Sequence, residues 1–227
     1  MSAEDAAVLA ASRAGRLNEI LEQANQPPLS SDAAAQFSAY LSLFLHWNAR
    51  INLSSIREEE AILSRHFVES IVCARLLPTG LKTLLDFGSG GGFPGIPIAL
   101  LRPEIAVVLA ESQGKKAAFL HEAVRTLGLG MRGKDKGRVE VHGGRAEVLV
   151  TRFDCVILRA VDHMQAAAKV AATLLVPKGI LALMTTRAEL TGLEASIGED
   201  WDWDDPVPLG EGDQRVLLIG RARGAHK

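Results

Sequence analysis

The chain has 227 residues, of which 48% are hydrophobic, and its formal net charge is -2. This length allows one α/β domain with an added segment, and the composition allows a substantial core. The near-neutral charge excludes a protein that is basic over its whole surface, so a nucleic-acid partner would have to bind a local patch.

Two further features indicate a cytoplasmic protein with no membrane partner. The start, MSAEDAAVLA, carries acids before the first basic residue and no long apolar run, unlike a signal peptide or a transmembrane helix. The two cysteines, Cys73 and Cys155, stand far apart in apolar stretches, which is typical of reduced, buried thiols. Their spacing indicates neither a disulfide framework nor a metal site, so we expect no metal.

Residues 1–78 are predicted to form an N-terminal tail and a helical cap. Residues 1–30 are rich in alanine and end in a pair of prolines, so we expect a loosely attached helix or tail. From Asp32, apolar residues recur on one side of an amphipathic helix. A second helix is predicted from about Glu58 to Leu77, followed by a proline that stops it.

Residues 79–227 are predicted to form an α/β domain, a Rossmann-like doubly wound sheet that is mostly parallel. Short apolar runs such as LKTLLDFG, IAVVLAE and FDCVILRA alternate with helical patterns, which is typical of a parallel sheet covered by helices on both faces. The last run, QRVLLIGRAR, follows an acidic loop with no helix between them. We therefore expect it to enter the sheet as an antiparallel edge strand.

The segment DFGSGGGFPG links the first predicted strand to the next helix, where a doubly wound sheet binds its ligand. Gly88, Gly90 and Gly92 let the backbone turn tightly and approach a ligand closely. Glu111 ends the second strand, where a carboxylate accepts hydrogen bonds from the ribose of an adenosine-containing cofactor. An acid at Asp86 suits the sulfonium and ammonium of S-adenosylmethionine (SAM) and would repel a pyrophosphate. SAM is therefore preferred, but GGGFPG also fits a dinucleotide motif, which leaves an NAD(P)-linked oxidoreductase open.

The strand that ends in FDCVILRAVDH indicates the class of methyl acceptor. It has neither the Asn/Asp-Pro-Pro-aromatic turn that commonly meets an exocyclic base amine nor a catalytic cysteine after a proline. This favours an acceptor with a free lone pair, such as guanine N7, with Arg159 placed to hold the adjacent O6. Residues 115–138 carry seven Lys or Arg side chains against two acids, which predicts a local patch for RNA phosphates.

Five blocks occur in the order of one known family: HWNARINLSSIREEEAILSRHFVES, LLDFGSGGGFPGIPIALLRP, ESQGKKAAFL, GGRAE and LRAV. In these blocks, from about Leu41 to Ala160 and more faintly through the last strand, the chain resembles the bacterial 16S rRNA (guanine-N7) methyltransferase G family, also called glucose-inhibited division protein B. The resemblance implies a SAM-dependent enzyme that methylates N7 of a guanine in the decoding-region loop of 16S rRNA, in the small ribosomal subunit. We expect it to act as a monomer.

The resemblance also implies which residues form the site. Its motifs carry over five cofactor contacts: Gly88 and Phe93 of the glycine block, Ala146 and Glu147 of GRAE, and Arg159 of LRA. Arg159 is expected near the methyl-transfer centre as the catalytic residue, and Lys115 and Arg145 are expected to contact RNA. Guanine N7 gives up no proton on attack, so no general base is required, and His66 is expected to be a packed or hydrogen-bonded residue.

One position departs from the family pattern. Relatives often carry a Lys-Gly pair at the end of the fifth strand, where this chain has Thr185 and Thr186 followed by Arg187. If that lysine holds an RNA phosphate, an arginine two residues along points elsewhere. The departure leaves a third alternative open, a non-catalytic RNA-binding or assembly factor that keeps a SAM pocket.

Overall fold

The computed structural model describes residues 2–130, 138–210 and 214–223, and its centre is one eight-stranded sheet. The strands are β1 (Thr83–Phe87), β2 (Ala106–Ala110), β3 (Val139–His142), β4 (Phe153–Arg159), β5 (Leu175–Thr186), β6 (Trp201–Trp203), β7 (Val207–Pro208) and β8 (Arg215–Ala222). Their order is β3-β2-β1-β4-β5-β8-β6, and β7 also pairs with β8.

The first five strands run parallel, and the last long strand does not. β1 lies between β2 and β4 in parallel pairing, while β8 pairs antiparallel with β5 and places Arg215 opposite Thr186. The predictions of a mostly parallel doubly wound sheet and of an antiparallel last strand are confirmed, but the expected edge position is wrong, because β6 and β7 pair with the other side of β8. Because β8 runs in the opposite direction, its first residue lies at the edge of the sheet where β5 ends.

Helices cover both faces of the sheet. They are α1 (Ala3–Gln23), α2 (Ser31–Asn48), α3 (Glu59–Ile62), α4 (Glu69–Leu76), α5 (Gly95–Leu101), α6 (Gly114–Thr126), α7 (Met164–Thr173) and α8 (Leu190–Ile197). α5 joins β1 to β2, α6 joins β2 to β3 and α7 joins β4 to β5, and each is the helical crossover that parallel neighbours require.

Two apolar cores lie on the two sides of the sheet. On one side, the cap contributes Phe37 and Phe67 to the same buried cluster as Leu109 and Ile157 of the sheet. On the other side, α7 and α8 pack against the opposite face of the strands. The cap is thus joined to the sheet by apolar burial, and the division of the chain at residues 78 and 79 stays a prediction.

The first helix is held much more firmly than the sequence indicated. Leu17 and Leu21 of α1 are buried in the core shared with the sheet. Arg13 donates two hydrogen bonds to Glu59, at 2.9 and 2.7 Å. The expectation of a loosely attached tail is therefore wrong, because one face of this alanine-rich helix carries enough leucine to bury.

The predicted second cap helix is present but is interrupted. Between α3 and α4, residues Leu63–Val68 form a π-helical turn. Such turns insert an extra residue into a helix and are frequent at functional sites. This one carries Arg65 and His66 and leads directly to Glu69, the first residue of α4.

Candidate active site

A cavity of about 900 Å³ lies at the edge of the sheet where the parallel strands end. Its lining comes from the loop after β1, the end of β2, the end of β4, the turn at residues 146–148 and the cap. This is the edge at which doubly wound sheets bind ligands, and the volume is in the range of small-molecule and cofactor sites.

The glycine loop after β1 forms one wall of this cavity. Gly88 and Gly90 line the cavity and have positive φ, 76° and 55°. A Cβ atom at Gly88 would approach Cγ2 of Val161, which also lines the cavity, at 3.3 Å. Gly92 has a different role, because a Cβ there would lie 2.5 Å from Ile96 and 2.8 Å from the Tyr40 hydroxyl. Gly92 therefore allows the loop to pack against the cap rather than against a ligand.

Asp86 lies underneath the glycine loop, not in the cavity. Its side chain is buried, and Oδ2 accepts a hydrogen bond from the Gly95 amide at 3.0 Å. Burial raises the pKa of Asp86 to about 7, against the lowering effect of the Gly95 hydrogen bond. The prediction that Asp86 contacts the positive end of a cofactor is therefore wrong. The carboxyl group is buried and faces the first residue of α5 instead of the cavity.

Glu111 lies at the end of β2 and lines the cavity. Its Oε2 accepts a hydrogen bond from the Gly90 amide at 2.9 Å, and its Oε1 accepts one from the Gln113 amide at 2.7 Å. Each carboxylate oxygen keeps a second lone pair, so both can still accept a hydrogen bond from a ligand. The expected ribose acceptor is thus also the residue that fixes the glycine loop.

Phe93 follows the glycine loop and also lines the cavity. The ring of His66 stacks on it, with the ring centroids 5.1 Å apart and an interplanar angle of 24°. Burial, together with the charges of Arg159, Arg65 and Arg215, lowers the pKa of His66 to about 3. His66 is therefore neutral at physiological pH, packed and hydrogen-bonded as the sequence indicated.

Arg159 ends β4 and is almost completely enclosed, with 7% of its side chain exposed. Its Nη2 lies 3.1 Å from Glu69 Oε2 and 3.1 Å from His66 Nδ1, and it also donates to the carbonyl oxygen of Arg65. Burial lowers the pKa of Arg159, and the adjacent Glu69 opposes this. Arg159 thus joins the sheet to the cap where both line the cavity.

Glu69 forms ion pairs with three arginines, which come from three separate segments of the chain. Arg65 Nε lies 3.1 Å and Arg215 Nε 2.7 Å from its Oε1, and Arg159 binds its Oε2. The glutamate is 3% exposed, whereas all three arginines line the cavity. One negative charge faces three positive charges, so this wall of the cavity is cationic. We name this group the Glu69 cluster.

The sequence interpretation missed Glu69 and Arg215 as site residues. Arg65 and Glu69 stand at helical i,i+4 spacing, a signal for a local ion pair and no more. Arg215 begins the last apolar run. The prediction that this run is an antiparallel strand indicates that its first residue lies at the end of the sheet where ligands bind. Its position beside Glu69 could not be predicted, because the sequence did not show which strand pairs with the last one.

The turn at residues 146–148 contributes Ala146 and Glu147 to the lining of the cavity. Ala146 is buried, and Glu147 lies beside it with 40% of its side chain exposed. Arg145 lines the cavity as well, but its side chain is 77% exposed and lies 3.9 Å from Glu147. Ala146 and Glu147 are therefore within the cavity wall, while Arg145 extends outward at its rim.

The predicted basic patch is only partly within the described residues. Arg132, Lys134 and Lys136 lie outside them. Lys115 is exposed on the first turn of α6, and the adjacent Lys116 lines the cavity. The structure thus places Lys115 near the cavity without bringing it into the wall.

The two threonines that depart from the family pattern have a local structural use. Thr185 Oγ1 and Thr186 Oγ1 donate to Glu189 Oε2, at 2.6 and 2.8 Å. The Thr186 amide donates to the same oxygen at 3.1 Å, which caps the turn Arg187–Glu189. These side chains hold the end of β5 to the next turn.

Comparison with known proteins identifies the family. A profile of GidB, the rRNA small subunit methyltransferase G family, matches residues 33–198. The chain belongs to this family. It is 37% identical over 191 residues to a ribosomal RNA small subunit methyltransferase G of Roseiflexus sp. (strain RS-1), covering 81% of each chain. It is 35% identical over 205 residues to the protein of the same name from Halorhodospira halophila, covering 88% of this chain and 93% of that one.

Solved structures agree on the fold. A putative O-methyltransferase from Klebsiella pneumoniae superposes with a TM-score of 0.57 at 14% identity, over 82% of this chain and 90% of that one. An O-methyltransferase from Bacillus cereus in complex with SAH gives a TM-score of 0.53 at 16% identity, over 81% and 90%. With the family match, the predictions of the family, the SAM-dependent methyltransferase class and the SAM cofactor are confirmed, and the oxidoreductase alternative has no support.

The residues around the cavity fit SAM. A glycine loop whose backbone can approach a ligand lies beside Glu111, an acceptor at the position suited to a ribose. Within residues 2–130, 138–210 and 214–223, His, Cys, Asp and Glu side chains form no group of three that could hold a metal ion. In the same ranges, no helix is both long and apolar enough to cross a membrane.

Proposed function

We propose that this protein transfers a methyl group from SAM to N7 of a guanine in the decoding-region loop of 16S rRNA. The proposal rests on the family membership and on one arrangement in the cavity. Gly88 and Glu111 line the side above β1 and β2, whereas the cationic Glu69 cluster lines the side above β4 and β8. A cofactor and an anionic nucleic acid would thus meet between these two sides.

The cofactor would be held by the side above β1 and β2. Glu111 would accept hydrogen bonds from the ribose hydroxyls, and Gly88 would let the backbone lie against the ligand. Ala146 and Glu147 would border the adenine, and Phe93 would give apolar cover near the methyl group. Asp86 would act indirectly, by holding the Gly95 amide and with it the start of α5.

Methyl transfer needs alignment more than acid or base chemistry. SAM supplies a methyl group on a sulfonium. The N7 lone pair would form the new N–C bond as the S–C bond breaks, and the electrons of that bond would stay on sulfur. N7 releases no proton, which is consistent with a neutral His66 in the cavity wall. Arg159 would orient the acceptor near the transfer centre, and Glu69 would offset part of the positive charge around it.

The macromolecular partner would be 16S rRNA or the small ribosomal subunit. The relatives' names support an rRNA substrate, and the cationic wall supports a polyanion. Lys115 and Arg145, both exposed near the cavity, would contact RNA outside the wall. We propose that the protein acts as a monomer in the cytoplasm, where ribosomal subunits are assembled.

The test is methylation of small subunits from cells that lack the enzyme. Purified protein with methyl-labelled SAM should place one methyl group on 16S rRNA, and mass spectrometry of nuclease fragments should show 7-methylguanosine in the decoding-region loop. In parallel, calorimetry should show binding of S-adenosylhomocysteine and not of NADH. Binding of RNA and S-adenosylhomocysteine with no methylation of naked rRNA, assembly intermediates or subunits would instead support a non-catalytic assembly factor.

A further inference from the structure

The two carboxylate oxygens of Glu69 contact different arginines. Oε2 lies 3.1 Å from Arg159 Nη2, whereas Oε1 lies 3.1 Å from Arg65 Nε and 2.7 Å from Arg215 Nε. Arg65 belongs to the π-helical turn of the cap, and Arg215 is the first residue of β8. Two guanidinium groups from distant segments are therefore held side by side at one oxygen. We name Arg65 and Arg215 the arginine clamp.

Both arginines of the clamp approach Glu69 through Nε, which leaves their outer nitrogens available. Within residues 2–130, 138–210 and 214–223, neither Nη1 nor Nη2 of Arg65 or of Arg215 forms a hydrogen bond with the protein. These two nitrogens carry four of the five N–H groups of an arginine. Most donors of the clamp are thus free to bind a ligand.

Arg215 is held by charge and not by a directed hydrogen bond. Its Nε is buried and forms no hydrogen bond with the described residues, although Glu69 Oε1 is only 2.7 Å away. The guanidinium can therefore turn toward a new acceptor without breaking a hydrogen bond. Both side chains of the clamp are partly exposed, and both line the cavity. The acceptor would thus come from the cavity.

The clamp carries more positive charge than the protein neutralises. Glu69 supplies one negative charge, which it divides between the clamp and Arg159. Guanidinium groups held this close repel one another, and the repulsion grows where water is partly excluded. An anion in the cavity would relieve it. A phosphodiester suits two arginines well, because its charged oxygens match the planar fork of N–H donors.

We propose that Arg65 and Arg215 together bind one phosphate group of the RNA backbone, next to the guanine that is methylated. The inference rests on the proposed function. A guanine whose N7 reaches the methyl group brings its flanking phosphates to the cavity, because the sugar joins them to the base. Phosphate contacts fix the register and orientation of a nucleic acid without reading its sequence. The clamp would therefore hold the target nucleotide in place, and Glu69 would keep the two guanidinium groups together before RNA binds.

The position of the clamp favours RNA phosphate over the carboxylate of the cofactor, the other anion in the reaction. Gly88 and Glu111, which would hold the cofactor, follow β1 and β2. Arg215 extends from β8, which β4 and β5 separate from β1, and Arg65 extends from the cap. The clamp thus comes from the side of the cavity opposite the proposed cofactor side, and the test separates the two anions.

The test uses small subunits whose 16S rRNA carries a single methylphosphonate, an uncharged linkage, on the 5′ or the 3′ side of the target guanosine. All substrates have 2′-deoxy sugars beside these linkages, because a neighbouring 2′-hydroxyl would cleave a methylphosphonate. With S-adenosylhomocysteine bound, the wild-type protein should bind one of the two modified subunits roughly tenfold more weakly than the unmodified subunit, the equivalent of one hydrogen bond to a charged group. Equal affinity for all three subunits would overturn the inference.

The double variant Arg65→Ala, Arg215→Ala should bind the unmodified subunit roughly tenfold more weakly than the wild type does. It should also lose its sensitivity to the methylphosphonate. The slope of log affinity against log salt should become smaller by about one, because the two arginines share one phosphate. A double variant that keeps the wild-type sensitivity, or whose slope falls by about two, would show that no phosphate is shared.

Arg221→Ala is the matched control for Arg215. Arg221 lies near the other end of β8, where it pairs with Asp204 at 2.7 Å. This variant should keep the wild-type affinity, salt slope and methylphosphonate sensitivity. The double variant leaves Glu69 paired with Arg159, so we expect it to fold, which circular dichroism checks. If it does not fold, the single variant Arg65→Ala, at an exposed residue, should still reduce the methylphosphonate sensitivity.

The outcomes separate this inference from the proposed function. If the double variant binds S-adenosylhomocysteine tenfold more weakly and keeps its methylphosphonate sensitivity, the clamp serves the cofactor and the inference is wrong. If the wild-type protein methylates no subunit, the proposed function fails, and the binding measurements still test the clamp. Methylation by the wild type, together with a methylphosphonate sensitivity that requires the clamp, supports both.

Discussion

Arg215 Nε lies 2.7 Å from Glu69 Oε1, and this ion pair joins the first residue of the last strand to the first residue of α4. The carboxylate is 3% exposed and also holds Arg65 and Arg159. The cap and the antiparallel strand β8 are therefore connected through one charge. We expect this connection to determine both the stability of the fold and the charge of the cavity.

Replacing Glu69 with glutamine should be strongly destabilising. Glu69→Gln keeps the shape but leaves three arginines with no compensating charge, two of them largely enclosed. Loss of one partner of a buried ion pair typically costs about 3 kcal/mol or more. Urea denaturation should show this loss, and Glu59→Gln, which removes the more exposed partner of Arg13, should cost less than about 1 kcal/mol. Equal losses in the two variants would contradict the central role of Glu69.

Removing Arg159 should affect methyl transfer more than cofactor binding. Arg159→Ala takes away the group that joins Glu69 and His66 beside the cavity, so we expect kcat to fall roughly 100-fold through misalignment. The affinity for S-adenosylhomocysteine should change much less, and the circular dichroism spectrum should stay that of the folded protein.

The matched control is Arg152→Ala, at the opposite end of the same strand. Arg152 Nη1 donates to the Leu175 carbonyl at 3.3 Å, remote from the edge where the parallel strands end. This variant should methylate subunits at the wild-type rate. Near-normal turnover by Arg159→Ala would remove that residue from the catalytic site.

Asp86 should make the stability of the cofactor-free protein depend on pH. Burial raises the pKa of this carboxyl to about 7 from a reference value of 3.8. The folded state thus binds the proton more tightly, so the contribution of Asp86 to stability is complete below pH 3.8 and is lost as the pH rises through about 7. The slope is at most about 1.4 kcal/mol per pH unit for one proton.

Asp86→Asn keeps an oxygen that can accept from the Gly95 amide and has no titrating proton. We expect its free energy of unfolding, measured in urea from about pH 4 to about pH 7, to vary less with pH than that of the wild type. The exposed Asp204→Asn should retain the wild-type dependence. An unchanged pH profile in Asp86→Asn would show that the carboxylate stays ionised when buried.

Lys115 should contribute to RNA affinity through charge alone. It is exposed on the first turn of α6, next to the cavity-lining Lys116. If Lys115→Ala removes one phosphate contact, the slope of log affinity for 16S rRNA against log salt should become smaller by about one. Lys178→Ala, on the exposed stretch near the start of β5, should leave the slope unchanged. A wild-type slope in Lys115→Ala would place this lysine outside the RNA-binding surface.

The sequence by itself determined the architecture and the place of the ligand. Short, continuous apolar runs separated by helical patterns predicted the parallel sheet, because strands that are buried on both faces are apolar along their whole length. Five glycines and an acid at the end of the next strand identified the binding edge, and the motif blocks identified the family. All of these signals lie within short segments, where neighbouring residues constrain one another directly.

Only the tertiary structure decided what stands opposite the glycine loop. Glu69, Arg159 and Arg215 are far apart in the chain and meet because β8 runs antiparallel and the cap closes over the end of β4. The same packing placed Asp86 under the loop, although its spacing from the glycines suggested a ligand contact. It also placed the His66 ring between Ser54 and Arg159, within hydrogen-bond distance of both. Charge compensation and hydrogen-bond direction depend on distances in space, which spacing along the chain does not encode.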